Sequence, residues 1–138
     1  MRDKRNLIVV PFIERDYPYV INTNRELELM LQGTKPFAAF CDKLESSYDE
    51  EIIPEQAFSP YVANGSILKS EHIFAKPPNQ FRRVLYSLPS EEWRMDAYLL
   101  MWEVAGKTGW NESLERLEGR LLGYAEWECD FHIKHYFR

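Results

Sequence analysis

Residues 66–88, SILKSEHIFAKPPNQFRRVLYSL, decide the fold, because two alternating runs flank a proline-rich turn. Ser66–Ala75 and Phe81–Leu88 both alternate, so the odd-numbered and the even-numbered residues of each run would lie on opposite faces of a strand. A period of two is typical of β-strands, and Pro77-Pro78-Asn79 between the runs is typical of a turn. The stretch therefore predicts a β-hairpin within a mainly antiparallel sheet.

Four shorter elements are predicted before the hairpin. Their apolar periods and flanking residues indicate a strand at Leu7–Ile13, a helix at Asn24–Gln32, a strand at Phe37–Cys41 and a helix at Glu55–Ala63. Thr23 and Glu26 have the spacing of a capping box for the first helix, and Gly33 follows its end. Pro11 restricts the first strand to an edge or a bulge. Because Pro36 precedes the second strand, a helical start is an alternative there.

The period changes from two to three or four after Pro89, which predicts a helix of about four turns. Ser90 is predicted as its N-cap and Gly106 as its end. Its apolar side chains lie on two sides, with Trp93, Ala97, Leu100, Met101 and Val104 as the main stripe and Met95, Tyr98, Leu99 and Trp102 opposite. Such a helix is either sandwiched inside the domain or covered by a partner chain, including a second copy in a homodimer.

A further helical segment is predicted over Asn111–Tyr136, with Asn111 as its N-cap. If this helix is continuous, its apolar face includes or borders four titratable side chains, Glu118, Glu128, His132 and His135. Buried titratable groups take perturbed pKa values, so these four are the candidate catalytic residues. A break at Gly123 would give the last helix a face of its own, and the histidines need not then meet Glu118.

Cysteine and histidine spacing does not predict a metal site. Cys129, His132 and His135 follow at intervals of three, which suits two ligands on adjacent helical turns. Two ligands do not make a site, and no HExxH or paired ExxH motif is present. Cys129 and His132 are also poorly placed as nucleophile and base, since such partners usually come from separate elements. Neither a metal nor a cofactor is predicted.

Acidic charge is concentrated in one short segment. The chain has a net charge of −5, and residues 42–55 hold six acidic side chains and one basic. The segment predicts either a solvated loop or an exposed loop whose field attracts a basic partner. A calcium loop is a poor third interpretation, because the D-x-[DN]-x-[DN]-G spacing and its central glycine are missing. The predicted contact residues are Asp42, Glu45, Asp49, Glu50 and Glu51.

Composition indicates one globular domain over residues 1–138, with 45% hydrophobic and 28% charged residues. The pattern predicts an α+β fold, a small, mainly antiparallel sheet of three or four strands packed against a helical C-terminal third. Negative charge argues against nucleic acid, and the longest apolar run is too short to cross a membrane. Cys41 and Cys129 lack CxxC spacing and no signal-like segment is present, which predicts reduced thiols in the cytosol.

All four tryptophans lie in the last third of the chain. Trp93 falls on the main stripe of its helix and Trp110 at the start of the next, so both are predicted in or near the core. Trp102 and Trp127 fall opposite the main stripes of their helices. These two are therefore the predicted aromatic anchors of a binding surface.

Two functions of different classes are consistent with these features. One is a small acidic protein-interaction domain, such as an inhibitor or immunity-type partner of a basic protein, steered by the acidic segment. The other is a small enzyme or ligand-binding domain that uses the Glu/His group, with Arg82 or Arg83 holding an anion. No phosphate loop, dinucleotide fingerprint or hydrolase elbow names a reaction.

Overall fold

A computed structural model describes residues 16–45 and 48–137, and the strand predicted at Leu7–Ile13 lies outside them. In chain order the elements are α1 (Glu26–Leu31), β1 (Phe37–Lys43), α2 (Glu55–Ala63), β2 (Leu68–Lys76), β3 (Asn79–Ser87), α3 (Trp93–Thr108), α4 (Glu112–Leu121) and α5 (Glu126–Tyr136). The three strands form an antiparallel sheet in the order β1-β3-β2. The predicted α+β class is confirmed.

The predicted hairpin is present. β2 and β3 pair from Leu68 opposite Ser87 to Lys76 opposite Asn79, so Pro77-Pro78 is the two-residue connection. Prolines have no N–H to donate, which suits the point where the ladder stops. The strand predicted after Pro36 is also present, as β1 on the other side of β3.

The central strand β3 supplies two separate cores, because its successive side chains point to opposite faces. Val84 and Tyr86 pack with Phe58 of α2 on one face, where the Phe58 and Tyr86 rings stack at 3.9 Å between centroids. Leu85 packs on the other face with Met101 of α3. The predicted packing against the C-terminal helices is thus one half of the core, and residues from α1 and α2 complete the other half.

The face covered by α2 also contains a buried cation, Arg82, whose side chain is 2% exposed. Its guanidinium pairs with Glu55 of α2 and, at 2.7 Å, with Glu71 of β2. The hydrogen bond from Arg82 holds the pKa of the Glu55 carboxyl below its ordinary value. Such a cation is tolerated in a core only when carboxylates neutralise it.

The predicted capping box of α1 is wrong. Arg25 is the N-cap, and no side chain caps the helix. Because the helix starts at Glu26, this glutamate is one residue into the helix and cannot act from the third position as a capping box requires. Asn24, with φ +66°, turns the chain beyond Thr23 before the helix begins. Gly33, with φ +79°, follows the helix as predicted.

Both predicted ends of α3 are wrong as well. Ser90 lies in a 3-10 turn, Pro89–Glu91, and Glu92 is the N-cap. Gly106 stays inside the helix, which ends instead at Gly109. With φ +80°, Gly109 takes a left-handed conformation that other residues rarely adopt, so this glycine is the one that stops the helix.

The C-terminal segment is broken at Gly123, whose φ is +105°. α4 ends at Leu121 and α5 begins at Glu126, so a single helix over Asn111–Tyr136 is wrong. A side chain at position 123 would place its Cβ 2.7 Å from Cδ of Pro36. The N-cap at Asn111 is confirmed, because its side chain accepts the backbone N–H of Leu114 at 2.9 Å.

Candidate functional site

The four predicted catalytic side chains have different surroundings. Glu118 is buried and accepts a hydrogen bond from the Tyr98 hydroxyl at 3.0 Å, between α4 and α3. Glu128 accepts the backbone N–H of Ala125 at 2.7 Å and so caps the start of α5. His135 is exposed, and its ring lies 4.2 Å from that of Phe131. These three side chains therefore contact different residues.

His132 is bound to a carboxylate that the sequence pattern does not single out. Its Nε2 lies 2.6 Å from Glu115 Oε2, and its Nδ1 lies 2.9 Å from the Tyr17 hydroxyl. Trp110 donates its indole N–H to the other oxygen of Glu115 at 2.7 Å. Because both ring nitrogens are engaged, His132 ties the chain before α1 to α4 and α5. The sequence signal that could have identified Glu115 as a partner is its position, one turn before Glu118 on the face that α4 buries.

Cys129 is a buried thiol. Burial raises its pKa above the ordinary value, which disfavours the thiolate that nucleophilic catalysis and metal binding require. Its Sγ lies 3.9 Å from the carbonyl oxygen of Arg116. Within residues 16–45 and 48–137, no three His, Cys, Asp or Glu side chains lie close enough together to hold a metal ion.

Most of the predicted acidic contact residues have local structural roles. Carboxylates of the segment accept backbone N–H groups as follows: Asp42 from Lys43, Glu45 from Gln80, Asp49 from Glu51, and Glu50 from Gln56 and Ala57. The two bonds to Glu50 are each 3.0 Å and satisfy open donors at the start of α2. Glu51 is exposed. Electrostatic steering by this segment stays a prediction.

The tryptophans follow the sequence prediction only in part: Trp110 packs against the core as predicted. Trp93 was predicted in the core but is 56% exposed. Trp110 is half-buried and stacks on half-buried Trp102 at 4.8 Å between ring centroids. Trp127 is 55% exposed, with one edge against the ring of Tyr19. The most accessible indoles are therefore Trp93 and Trp127.

Trp93 is exposed because α3 packs on the sheet through the opposite side of the helix. Met95, Tyr98 and Met101 are buried, and Glu118 supplies the polar partner that the Tyr98 hydroxyl needs. Three members of the predicted main stripe, Trp93, Leu100 and Val104, instead point outward, with Leu100 58% exposed, whereas Met101 of that stripe is buried. We call Trp93, Ala97, Leu100 and Val104 the outer face of α3. The residues that the structure describes leave this face exposed, so they do not provide the internal sandwich that was one of the two predicted alternatives.

Acidic side chains flank the outer face of α3. Glu92, Asp96 and Glu103 are exposed, and none of them forms an ion pair with another residue in the described ranges. Arg94, the nearest basic side chain in the sequence, is held by Glu91 at 2.8 Å and by carbonyl oxygens of α4. The outer face thus joins apolar surface to carboxylates that no described residue pairs, and the guanidinium carbon of Arg94 lies 4.7 Å from the ring centroid of Trp93.

Comparison of the chain with known protein families, with curated proteins and with solved structures finds no match. Among the helices of the described residues, none has the length and apolar character needed to cross a membrane.

Proposed function

We propose that this protein is an interaction domain that binds a basic, amphipathic helix of another protein on the outer face of α3. The observation that carries the proposal is the exposure of Trp93, Leu100 and Val104 along one side of a single helix. A contiguous apolar stripe with a polar rim is typical of a protein contact, whereas scattered apolar side chains are ordinary surface.

The spacing of the outer face supports a helical partner. Its members occur at intervals of four, three and four residues, the spacing at which side chains line one side of a helix. A partner helix lying alongside would place its own apolar stripe against Leu100, with Trp93 and Val104 on either side. Aromatic and aliphatic anchors of this kind supply most of the binding free energy in helix recognition.

The flanking carboxylates indicate the charge of the partner. Lysine or arginine beside the partner's apolar stripe would meet Glu92, Asp96 and Glu103 and would speed association at low salt. A second copy of this chain would instead bring two sets of the same carboxylates together. We therefore favour a basic partner over a homodimer. An inhibitor or immunity-type role in the cytosol belongs to the same proposal.

Binding of designed peptides tests the proposal. The probe is a helical peptide with leucines on one face and lysines beside them, and its matched control has glutamate in place of every lysine. We expect the lysine peptide to bind more tightly by fluorescence anisotropy. Leu100→Glu should weaken this binding at least about tenfold, the effect of losing roughly 1.4 kcal/mol at a central contact.

Leu31→Glu is the matched control variant, because Leu31 is also exposed, at 46%, but belongs to α1. We expect it to bind the lysine peptide like the wild type. Equal binding of the two peptides would rule out the basic partner. Unchanged binding by Leu100→Glu would rule out the outer face of α3, and circular dichroism would verify that both variants are folded.

A further inference from the structure

A groove of about 1050 Å³ lies between the sheet and α3, and Glu103, which flanks the outer face, also lines this groove. Phe74, Phe81 and Arg83 line it from the strands, and Leu99 and Trp102 line it from the helix. Trp110 also lines the groove and stacks on Trp102. The groove contains none of the four predicted catalytic side chains.

Arg83 is the unusual residue of this groove. Arg83 is only 8% exposed. Within the described part of the chain, its guanidinium forms neither a hydrogen bond nor an ion pair, in contrast to that of Arg82. Arg82 precedes it in β3, faces the other side of the sheet and is neutralised by two carboxylates. Arg83 therefore lacks the ion pairs that compensate the burial of Arg82, and none of its nitrogens is among the buried atoms of the described residues that lack a hydrogen-bond partner, so its donors are accessible from the groove.

Aromatic rings contact Arg83. Its guanidinium carbon lies 4.3 Å from the ring centroid of Phe74 and 5.0 Å from that of Trp102. Rings favour the flat faces of a guanidinium, whereas its five N–H donors point outward in the plane. The rings therefore help to retain the cation and leave its donor edge for an acceptor in the groove.

We propose that this groove binds a small aromatic carboxylate, with its carboxylate on Arg83 and its ring among the aromatic side chains. A carboxylate accepts two parallel N–H bonds from one guanidinium. Phe81, which stacks on Phe74 with an interplanar angle of 18°, and Leu99 give the groove apolar surface for an aromatic body. The groove contains none of the four residues of the outer face, and Glu103 borders both surfaces.

Charges at the rim favour a single negative charge on the ligand. Lys43 and Lys76 line the groove together with Asp42 and Glu103, so the two carboxylates oppose highly charged anions such as phosphate. Arg83 can form one two-pronged contact, with a single carboxylate of the ligand. The groove is therefore suited to a monoanion with a large apolar body.

Calorimetric titration with 2-naphthoate tests the site, with neutral 2-naphthamide and inorganic phosphate as comparison probes. We expect wild-type protein to bind naphthoate at least tenfold more tightly than either comparison probe. Arg83→Met should remove the preference for naphthoate over naphthamide, because the methionine keeps an apolar chain but has no donor. Arg83→Lys should retain a reduced preference, since the charge stays and the two-pronged contact is lost.

Leu100→Glu is the control for the separate surface and should bind naphthoate like the wild type. Equal binding of naphthoate and naphthamide by the wild type, or an unchanged preference in folded Arg83→Lys and Arg83→Met, would overturn the proposal. Phosphate binding as tight as naphthoate binding would also overturn it. Absence of naphthoate binding at millimolar concentration would do the same, without affecting the proposed partner surface.

Discussion

Glu55→Gln should lower the free energy of unfolding by about 3 kcal/mol, because Arg82 would stay buried with one of its two carboxylates neutralised. The expected loss is at the low end for a broken buried pair, since Glu71 still contacts the guanidinium at 2.7 Å. Urea denaturation followed by tryptophan fluorescence measures it. Glu51→Gln is the control, because Glu51 is exposed in the same acidic segment and should change stability by less than about 0.5 kcal/mol.

The pH dependence of stability provides a second measurement on the Arg82–Glu55 ion pair. The folded-state pKa of Glu55 is lowered, chiefly by the hydrogen bond from Arg82, so its contribution is fully present above the unfolded-state pKa of about 4.3. It is lost as the pH falls through the folded-state pKa. Wild-type stability should therefore decline more steeply than that of Glu55→Gln below about pH 4.3. Parallel declines would show that Glu55 is not a stabilising partner of Arg82.

Gly123→Ala and Gly106→Ala should change stability in opposite directions. Gly123 has φ +105°, and a Cβ there would meet Pro36 Cδ at 2.7 Å, so alanine should cost about 2 kcal/mol or more. Gly106 lies inside α3, and a Cβ there would meet nothing within 4 Å. Alanine at this position should stabilise the protein by about 0.5 to 1 kcal/mol.

Thermal unfolding of the two alanine variants tests these expectations. Both variants carry the same glycine-to-alanine change, so a difference between their melting temperatures reports the difference between the two positions. A lower melting temperature for Gly123→Ala and a higher one for Gly106→Ala is the expected result. If Gly123→Ala is as stable as the wild type, α4 and α5 do not require a left-handed residue between them. A continuous C-terminal helix would then be the better description.

Local pattern was sufficient for the hairpin and for α2. Alternation on both sides of Pro77-Pro78 predicts β2 and β3, and Pro54 marks the start of α2 at the observed residue. The layer formed by α1 and α2 could not be predicted in the same way. It depends on which face of β3 each helix covers, and residues distant in sequence, such as Phe58 and Tyr86, decide that.

The orientation of α3 shows why an all-round apolar helix is hard to predict. The helix has an apolar stripe on each of two sides, and the stripe with more apolar residues, which contains Trp93, is the one predicted to be buried. The buried side is set instead by tertiary contacts, including the bond from Tyr98 to Glu118. Similarly, Gly106 and Gly123 look alike in the sequence, and only backbone conformation and the nearby Pro36 ring distinguish them.

The sequence indicates where charged residues are concentrated, but it does not predict which contacts these residues make. Glu50 and Glu55 belong to a run that resembles a solvated loop, yet one caps α2 and the other neutralises Arg82, because α2 begins inside the run. Arg82 and Arg83 are adjacent candidates for holding an anion. Strand alternation puts them on opposite faces, and of the two only Arg82 forms ion pairs with carboxylates.

The indole N–H resonances of the four tryptophans give the most direct test of the proposed partner surface. Trp93 and Trp127 are exposed to nearly the same extent, 56% and 55%, but only Trp93 belongs to the outer face of α3. In a nitrogen-15 NMR titration with the lysine peptide, we expect the Trp93 resonance to shift while the Trp127 resonance stays in place. A shift of Trp127 with no change at Trp93 would contradict the proposal.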